Sequence, residues 1–180
     1  MRMKTSNIPK PLVELVANDF KNVPKRPGVY IIFWIRDRKP RSIHRILGTD
    51  KKGILYIGAT KSKKGLRGRL RDLRVSVQMV RGQRKRKRYP HTFGPSLAYT
   101  GLSNIIKDNE LGVYFKEFSK EDAEYQERLA FLNYTRKYGE PPPLNLQVGR
   151  YYFTIVGLGI VDKSRLVGKL DDDLRSVLGL

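Results

Sequence analysis

Two tyrosines lie beside glycines in two apolar runs of this sequence, and a segment rich in lysine and arginine follows the second run. Tyr30 belongs to GVYIIFWI and Tyr56 to ILYIGA, and both runs are typical of buried β-strands. A phenol, with an unperturbed pKa of about 10, is a poor base at neutral pH, but nearby cations favour its phenolate form. The pattern therefore suggests two phenols that act beside cations, whereas the simpler interpretation is that both rings pack in a core.

The cations after the second run include three arginines on one predicted helix. We expect this helix from about residue 63 to residue 80, because an apolar stripe recurs along it with helical spacing: Leu66, Leu70, Leu73 and Val77. Arg69 lies about 60° from the first leucine of the stripe, at its edge, where a fixed guanidinium can bind two phosphate oxygens. Arg67 lies on the other side of the stripe, and Arg71 points further outward. Alternatively, all three arginines form a solvated basic face that binds nucleic-acid backbone without taking part in catalysis.

A carboxylate stands inside an apolar helical face further along the chain. Ser119 is the predicted N-cap of a helix that runs to about Tyr138, and Glu127 lies within it. The apolar residues around it on the same face are Ala123, Ala130, Phe131, Tyr134 and Tyr138. An unpaired carboxylate in such a face is costly, so Glu127 needs an arginine or a metal ion nearby. A structural ion pair with Arg69 or another cation is the alternative to a metal site.

The order of these residues resembles that of the GIY-YIG nuclease superfamily. The resemblance rests on Gly28-Val29-Tyr30, Tyr56-Ile57-Gly58 and Leu66-Arg67-Gly68-Arg69-Leu70, with Glu127 and Asn145 following in the order that family uses, and it covers about residues 24–146. It implies a small, mostly antiparallel three-stranded sheet flanked by helices. It also implies one divalent metal ion, Mg²⁺ or Mn²⁺, and hydrolysis of phosphodiester bonds in DNA. The tyrosines stand 26 positions apart, so the hairpin loop between them is enlarged and basic, which is similar to the restriction-enzyme branch.

The resemblance also implies roles for individual residues. The implied catalytic residues are Tyr30, Tyr56, Arg69, Glu127 and Asn145. Tyr30 would orient or deprotonate the attacking water, Tyr56 would bond the water or the phosphate, and Glu127 would hold the metal ion. Mg²⁺ keeps several waters and is typically held by one or two carboxylates together with substrate phosphate, so a single glutamate suffices.

Two of these assignments have an alternative within the sequence. The leucine frame of the motif favours Arg69 over Arg67 as the catalytic arginine, but the stretch from Tyr56 to Arg69 is a few residues longer than in the repair nucleases, so both stay candidates. Asn145 follows three prolines. It would fix the site, or it is a simple turn asparagine.

The net charge points to a polyanionic partner. The chain has 37 Lys and Arg against 17 Asp and Glu, a formal charge of +20, which usually persists because the partner is a nucleic acid. The residues expected to contact it are Arg67, Arg71, His91 and the basic run formed by Arg84, Lys85, Arg86, Lys87 and Arg88. Tyr89, His91 and Phe93 are candidates to stack on bases, and residues 36–53 and 81–104 are candidates for base contacts. Alternatively, the basic run is a solvated loop that adds only non-specific affinity.

The remaining patterns indicate one domain of the α+β class. They predict a short helix at 11–21, a weak helix at 96–109, a third strand at 111–118, a strand near 151–161 and an Asp-capped helix near 171–178. Residues 1–180 are expected to form a single domain, with the nuclease-like core at 24–146, an N-terminal helical extension at 1–23 and a strand–helix extension at 147–180. There is no cysteine, which fits a reducing compartment. The longest apolar stretch, residues 151–161, is too short to span a bilayer. Since the N-terminus has no apolar signal region, the expected location is cytoplasmic or nucleoid-associated, without a membrane partner.

The sequence thus predicts a metal-dependent DNA endonuclease, of the restriction type or specific for DNA structure. Its expected partner is double-stranded or branched DNA, and a homodimer is expected at least on DNA, because one site cuts one strand. A different class stays open: a non-catalytic, basic nucleic-acid-binding protein on the same scaffold.

Overall fold

A computed structural model describes residues 9–146 and 168–180 of the protein, so the strand predicted near 151–161 lies outside the described residues. The strands are β1 (Lys10–Pro11), β2 (Gly28–Arg36), β3 (Lys39–Pro40), β4 (Ile43–Arg45), β5 (Gly48–Asp50), β6 (Ile54–Thr60) and β7 (Leu111–Glu117). The helices are α1 (Leu12–Ala17), α2 (Gly65–Val80), α3 (Phe93–Tyr99), α4 (Lys120–Tyr138) and α5 (Asp172–Leu178), with 3₁₀ turns at Leu102–Asn104 and Asp108–Glu110. The predicted α+β class is confirmed.

Strand β2 is the centre of the main sheet. It pairs antiparallel with β6 on one side and with β7 on the other, and its nine residues, GVYIIFWIR, are nearly all buried. The short strand β1 extends the sheet beyond β7, and β3 pairs with the end of β2. Strands β4 and β5 form a separate hairpin within the long basic connection between β2 and β6. Three long antiparallel strands therefore build the sheet that positions the two tyrosines.

Helices cover both faces of this sheet. Alternate residues of β2 point to opposite faces, so Tyr30 and Ile32 pack in one core with α1, α2 and α3, whereas Val29 and Ile31 pack in another with α4 and α5. Burial on both sides explains why the strand is a continuous apolar run. The tyrosines and the helix that carries Glu127 consequently lie on opposite faces of the sheet, next to its β6 edge.

The long helices follow the sequence pattern closely. The stripe of Leu66, Leu70, Leu73 and Val77 in α2 is fully buried. Helix α4 begins after Ser119, whose hydroxyl accepts a hydrogen bond from Asp122 N at 3.0 Å, and it ends at Gly139 in the left-handed conformation. The predicted Asp-capped helix at the C-terminus is present as α5, with Asp171 as its N-cap.

Two elements differ from the sequence expectation. Helix α1 is shorter than the predicted helix at 11–21, because Asp19 and Phe20 adopt positive φ angles of 46° and 55°, which end the helix and turn the chain. The weak helix expected over residues 96–109 is displaced towards the N-terminus as α3, followed by the two 3₁₀ turns. In both places the local pattern was too short to determine a boundary.

Candidate active site

The two motif tyrosines lie side by side on one face of the sheet. Tyr30 is paired with Gly58 across β2 and β6, and the rings of Tyr30 and Tyr56 are stacked with their centroids 6.1 Å apart and their planes inclined by 21°. A Cβ atom on Gly58 would lie 2.5 Å from Tyr30 Oη and 2.7 Å from the Tyr56 ring. The glycine beside Tyr56 is therefore needed to let the Tyr30 ring cross the neighbouring strand.

Two nitrogen atoms converge on the Tyr30 hydroxyl. Arg69 Nε donates to Tyr30 Oη at 3.2 Å, and His91 Nε2 lies 2.7 Å from the same oxygen. The backbone N–H of Phe93 donates to His91 Nδ1 at 2.9 Å, so the single proton of the neutral ring is on Nε2 and points to Tyr30. Tyr30 Oη therefore accepts two N–H hydrogen bonds. We call Tyr30, Tyr56, Arg69 and His91 the tyrosine cluster.

Burial determines the protonation states in the tyrosine cluster. Tyr30 is 0% exposed, and this burial raises the pKa of its phenol well above 10.0; Tyr56 adds to the effect, and the Arg69 guanidinium opposes it. Arg69 lowers this pKa, as expected of a nearby cation, but burial outweighs it and the net shift is upward. Burial also lowers the pKa of His91 well below its usual value, with the Arg69 charge acting in the same direction. Tyr30 is thus protonated and His91 neutral at pH 7.

His91 is not at the nucleic-acid surface where we expected it. Its side chain is 2% exposed, its backbone N–H donates to Ser76 Oγ at 2.9 Å, and its ring meets the rings of both Tyr30 and Tyr56 edge-on. Phe93 is also fully buried, so neither ring is available to stack on bases. The sequence placed His91 with the adjacent basic run, and nothing in its local pattern distinguished the two environments.

Tyr56 is held by the same segment of chain. Its hydroxyl lies 3.2 Å from Thr92 Oγ1, and its ring meets the Phe93 ring edge-on at 5.8 Å. It is 8% exposed, so the hydroxyl end lies closer to solvent than that of Tyr30. Residues 91–93 therefore form the wall against which both tyrosines pack.

The three arginines of the motif segment, Arg67, Arg69 and Arg71, have different partners. Arg67 donates from Nε to Val23 O at 2.7 Å and from Nη2 to Lys21 O at 2.8 Å. Arg71 forms an ion pair with Asp19 at 2.7 Å. These two side chains anchor the segment that follows α1. Their predicted contacts with nucleic acid stay predictions. Arg69 alone of the three contacts a motif tyrosine, so the geometry favours it for the catalytic position.

Glu127 reaches the same end of β6 from the other face of the sheet. Its Oε1 accepts a hydrogen bond from Ala59 N at 2.9 Å. Burial raises the pKa of Glu127 to about 7, against the Ala59 hydrogen bond and the Arg69 charge, which lower it. Within the described residues Glu127 and Arg69 do not form a direct ion pair, so the alternative of a structural pair with Arg69 is not seen, and the two charges interact only at longer range.

Asn145 pairs with the free edge of β6. Its Oδ1 accepts from Ile57 N at 2.9 Å and its Nδ2 donates to Ile57 O at 2.8 Å, while Leu144 N donates to Leu55 O at 2.9 Å. Ala59 N also donates to Glu127 on this edge. Together these contacts satisfy the backbone groups of β6 that point away from the sheet, as an edge strand requires. Asn145 is therefore more than a turn residue, because its amide fixes the segment after α4 to the strand that carries Tyr56.

The residues present fit a metal ion held by one carboxylate. Glu127 Oε2 accepts no hydrogen bond from the described residues, which leaves one oxygen for a cation. Within 9–146 and 168–180, no group of three or more His, Asp or Glu side chains could hold a metal ion. A metal ion bound at Glu127 would therefore take its other ligands from waters and substrate phosphate, a coordination that Mg²⁺ and Mn²⁺ accept.

The basic run lies on the loop between α2 and α3. Arg84, Lys85, Arg86, Lys87 and Arg88 are all exposed. The loop is anchored at both ends: Arg81 donates to the carbonyls of Ser103 and Ile106, and Ser76 holds the backbone of His91. The five cations are therefore presented to solvent a few residues from the tyrosine cluster.

In comparisons with known proteins, no family model, curated protein or solved structure matched this chain. No helix among the described residues is long and apolar enough to cross a membrane.

Proposed function

We propose that this protein is a metal-dependent DNA endonuclease of the GIY-YIG type. The observation that carries the proposal is that Tyr30, Arg69 and Glu127 all lie near one end of β6: Tyr30 is paired with Gly58 and contacts Arg69 on one face of the sheet, and Glu127 reaches the next residue, Ala59, from the other face. Arg69 Nε contacts Tyr30 Oη at 3.2 Å, and the charge of Arg69 also acts on Glu127. A fixed guanidinium, a phenol and a single carboxylate are what hydrolysis of a phosphodiester requires from a protein: charge stabilisation, water positioning and a metal ligand.

In this proposal each group has a distinct task. Arg69 is only partly buried and covers Tyr30, so a phosphate that binds its guanidinium would draw it away and open the phenol to water. Tyr30 Oη already accepts a bond from His91, which would stabilise negative charge there if the phenol passed its proton on. When bound at Glu127, Mg²⁺ or Mn²⁺ would supply stabilisation of the developing charge and of the leaving oxygen. Asn145 holds the strand between these groups in place.

Plasmid nicking tests the proposal. Purified wild type and Glu127→Gln are incubated with supercoiled, mixed-sequence and branched DNA, in magnesium and in chelator, beside a melting curve for each protein. Glu127→Gln is expected to abolish cleavage while leaving the fold intact, because Gln keeps the volume and can still accept from Ala59 N. The exposed Glu121→Gln on the same helix is the matched control and should cut like wild type. Equal cleavage by wild type and Glu127→Gln would refute the metal-ligand assignment.

A non-catalytic nucleic-acid-binding protein on the same scaffold is the second candidate. It is favoured by a specific observation: Tyr30 is 0% exposed, and Glu127 and Asn145 both satisfy backbone groups at the β6 edge. All three residues then have a purely structural use. This candidate predicts no magnesium-dependent cleavage by the wild type, and an effect of Glu127→Gln on stability alone.

The proposal extends to the substrate and the assembly. A +20 chain with an exposed basic run is suited to double-stranded or branched DNA. Since one chain offers one site, a double-strand break at a palindrome requires two chains related by a two-fold axis. We therefore propose a homodimer on DNA, which sedimentation of the protein on a palindromic duplex would test; a monomer that produces only nicks would contradict it.

A further inference from the structure

One long stretch of the chain carries positive charge without any acidic residue. Between Asp72 and Asp108 there are eight Lys or Arg residues and no Asp or Glu. Five of the eight are the adjacent, exposed residues of the basic run. No nearby carboxylate within this stretch offsets their charge, so it is the part of the described surface best suited to a polyanion.

The same stretch exposes apolar side chains of unusual size. Of the six large hydrophobic residues exposed in the described chain, three lie here: Tyr89 at 44%, Tyr99 at 86% and Ile105 at 57%. Aromatic rings stabilise a fold mainly when they are buried. A ring as exposed as that of Tyr99 contributes little to the core, which suggests that it contacts a partner.

The fold places these side chains near the segment where the loop with the basic run begins. Arg81, the first cation after α2, donates to the carbonyls of Ser103 and Ile106, which flank the exposed Ile105 on either side. Tyr99 is the last residue of α3, and a short turn leads from it into the segment that Arg81 holds. Tyr89 directly follows the run. The segment that carries Ile105 therefore lies at the start of the basic loop and Tyr89 at its end, with Tyr99 one short turn before the Ile105 segment.

We propose that Tyr99, Tyr89 and Ile105, together with the basic run, form a base-stacking surface for unpaired or unstacked bases of DNA. The cations would hold the phosphate backbone, the two rings would stack on base faces, and the isoleucine would fill a disrupted base step. The proposal rests on the proposed DNA partner and adds that the preferred DNA is not fully paired where it meets this surface. A second copy of the chain is a poor occupant, because two basic runs would repel each other.

The test measures DNA binding in chelator, so it does not depend on cleavage. Two fluorescent probes of equal length are compared, a fully paired duplex and a forked duplex with 2-aminopurine in its unpaired arm. Tyr99→Ala is expected to weaken binding to the fork by about tenfold, as for loss of one stacked base, and to leave the salt dependence unchanged. Tyr99→Phe keeps the ring and should bind like wild type. Ile46→Ala, at an exposed position on the β4–β5 hairpin, is the matched control.

Wild type should also quench the 2-aminopurine fluorescence on binding, and Tyr99→Ala, which retains only the Tyr89 ring, should quench it less. Equal affinity and equal quenching by both proteins would overturn the proposal. It would also be overturned if the wild type self-associated without DNA and Tyr99→Ala did not, since the surface would then belong to a second copy. Absence of magnesium-dependent nicking would refute the nuclease proposal alone, because these binding measurements contain no metal.

Discussion

The tyrosine cluster and the basic run lie next to each other in sequence, yet the fold places them in opposite environments. Arg88 is exposed, whereas His91, three positions later, is 2% exposed and bonded to Tyr30. In the cluster both hydroxyls and both imidazole nitrogens have a defined partner, and protonation is determined by burial. In the basic run the side chains contact solvent. The fold determines only that these charges follow the end of α2, and it gives the side chains no fixed partners among the described contacts.

This difference separates two ways in which a protein can act on DNA. A buried cluster works through fixed geometry, so removal of one atom should change a rate steeply and leave affinity nearly unchanged. An exposed run works through charge, so neutralisation should change affinity in proportion to the number of phosphates bound and depend on salt. Each of the following predictions alters either the side chains of the candidate site or the exposed basic run.

The largest effect is expected from the arginine that touches the cluster. Arg69→Ala removes both a donor to Tyr30 and the charge placed for phosphate, so single-turnover nicking should fall by between about 100-fold and 1,000-fold. Arg67→Ala, on the same helix, is the matched control: it should reduce stability, because Arg67 bonds two carbonyls near α1, and reduce turnover much less. Equal reductions of turnover would show that Arg69 has no special role.

The Tyr30 hydroxyl comes next. Tyr30→Phe keeps the stacked ring and removes only the oxygen that accepts from Arg69 and His91, so turnover should fall by about 100-fold. DNA affinity in chelator should stay at the wild-type value. A melting curve shows whether the two unpaired donors weaken the fold; a variant that melts early and still cuts at the wild-type rate would make Tyr30 a purely structural residue.

Neutralising the basic run should act on affinity. Replacing Arg84, Lys85, Arg86, Lys87 and Arg88 with glutamine should flatten the plot of log affinity against log salt by about 0.9 for each phosphate that the protein no longer neutralises. The cleavage rate at saturating DNA should hardly change, because the tyrosine cluster is intact. If affinity and slope keep their wild-type values, the run does not touch DNA.

The smallest effect concerns pH and Glu127. The folded protein holds the Glu127 proton up to a pKa of about 7, whereas an unperturbed glutamate loses it near 4.5. Between these values the folded state binds more protons, so this group makes the protein less stable as pH rises, by up to about 1.4 kcal/mol per pH unit. Glu127→Gln cannot titrate. The unfolding free energy of Glu127→Gln minus that of the wild type should therefore rise between pH 4.5 and pH 7 and stay constant above pH 7. A difference that does not change with pH would contradict the raised pKa of Glu127.

Several parts of the fold were predictable because their signals are local. The Ser119 cap and the apolar spacing of α2 each depend on residues within one or two helical turns, and both appear as expected. Tyr30 and Tyr56 were placed on adjacent strands for the same reason. The shortened α1 was not predictable, because its end depends on positive φ angles at Asp19 and Phe20 that carry no glycine signal.

By itself, the sequence determined the three long strands, the two long helices, the positive charge and the side chains proposed to act on phosphate, because periodicity and composition are properties of neighbouring residues. Only the tertiary structure decided what those side chains contact. Tyr30 receives its two donors from positions 39 and 61 residues away, and burial, which depends on the whole core, keeps its phenol protonated. The same packing took His91 from the basic surface into the cluster and left Tyr99 outside, because the close approach of α3 to α2 determines which aromatic rings are covered.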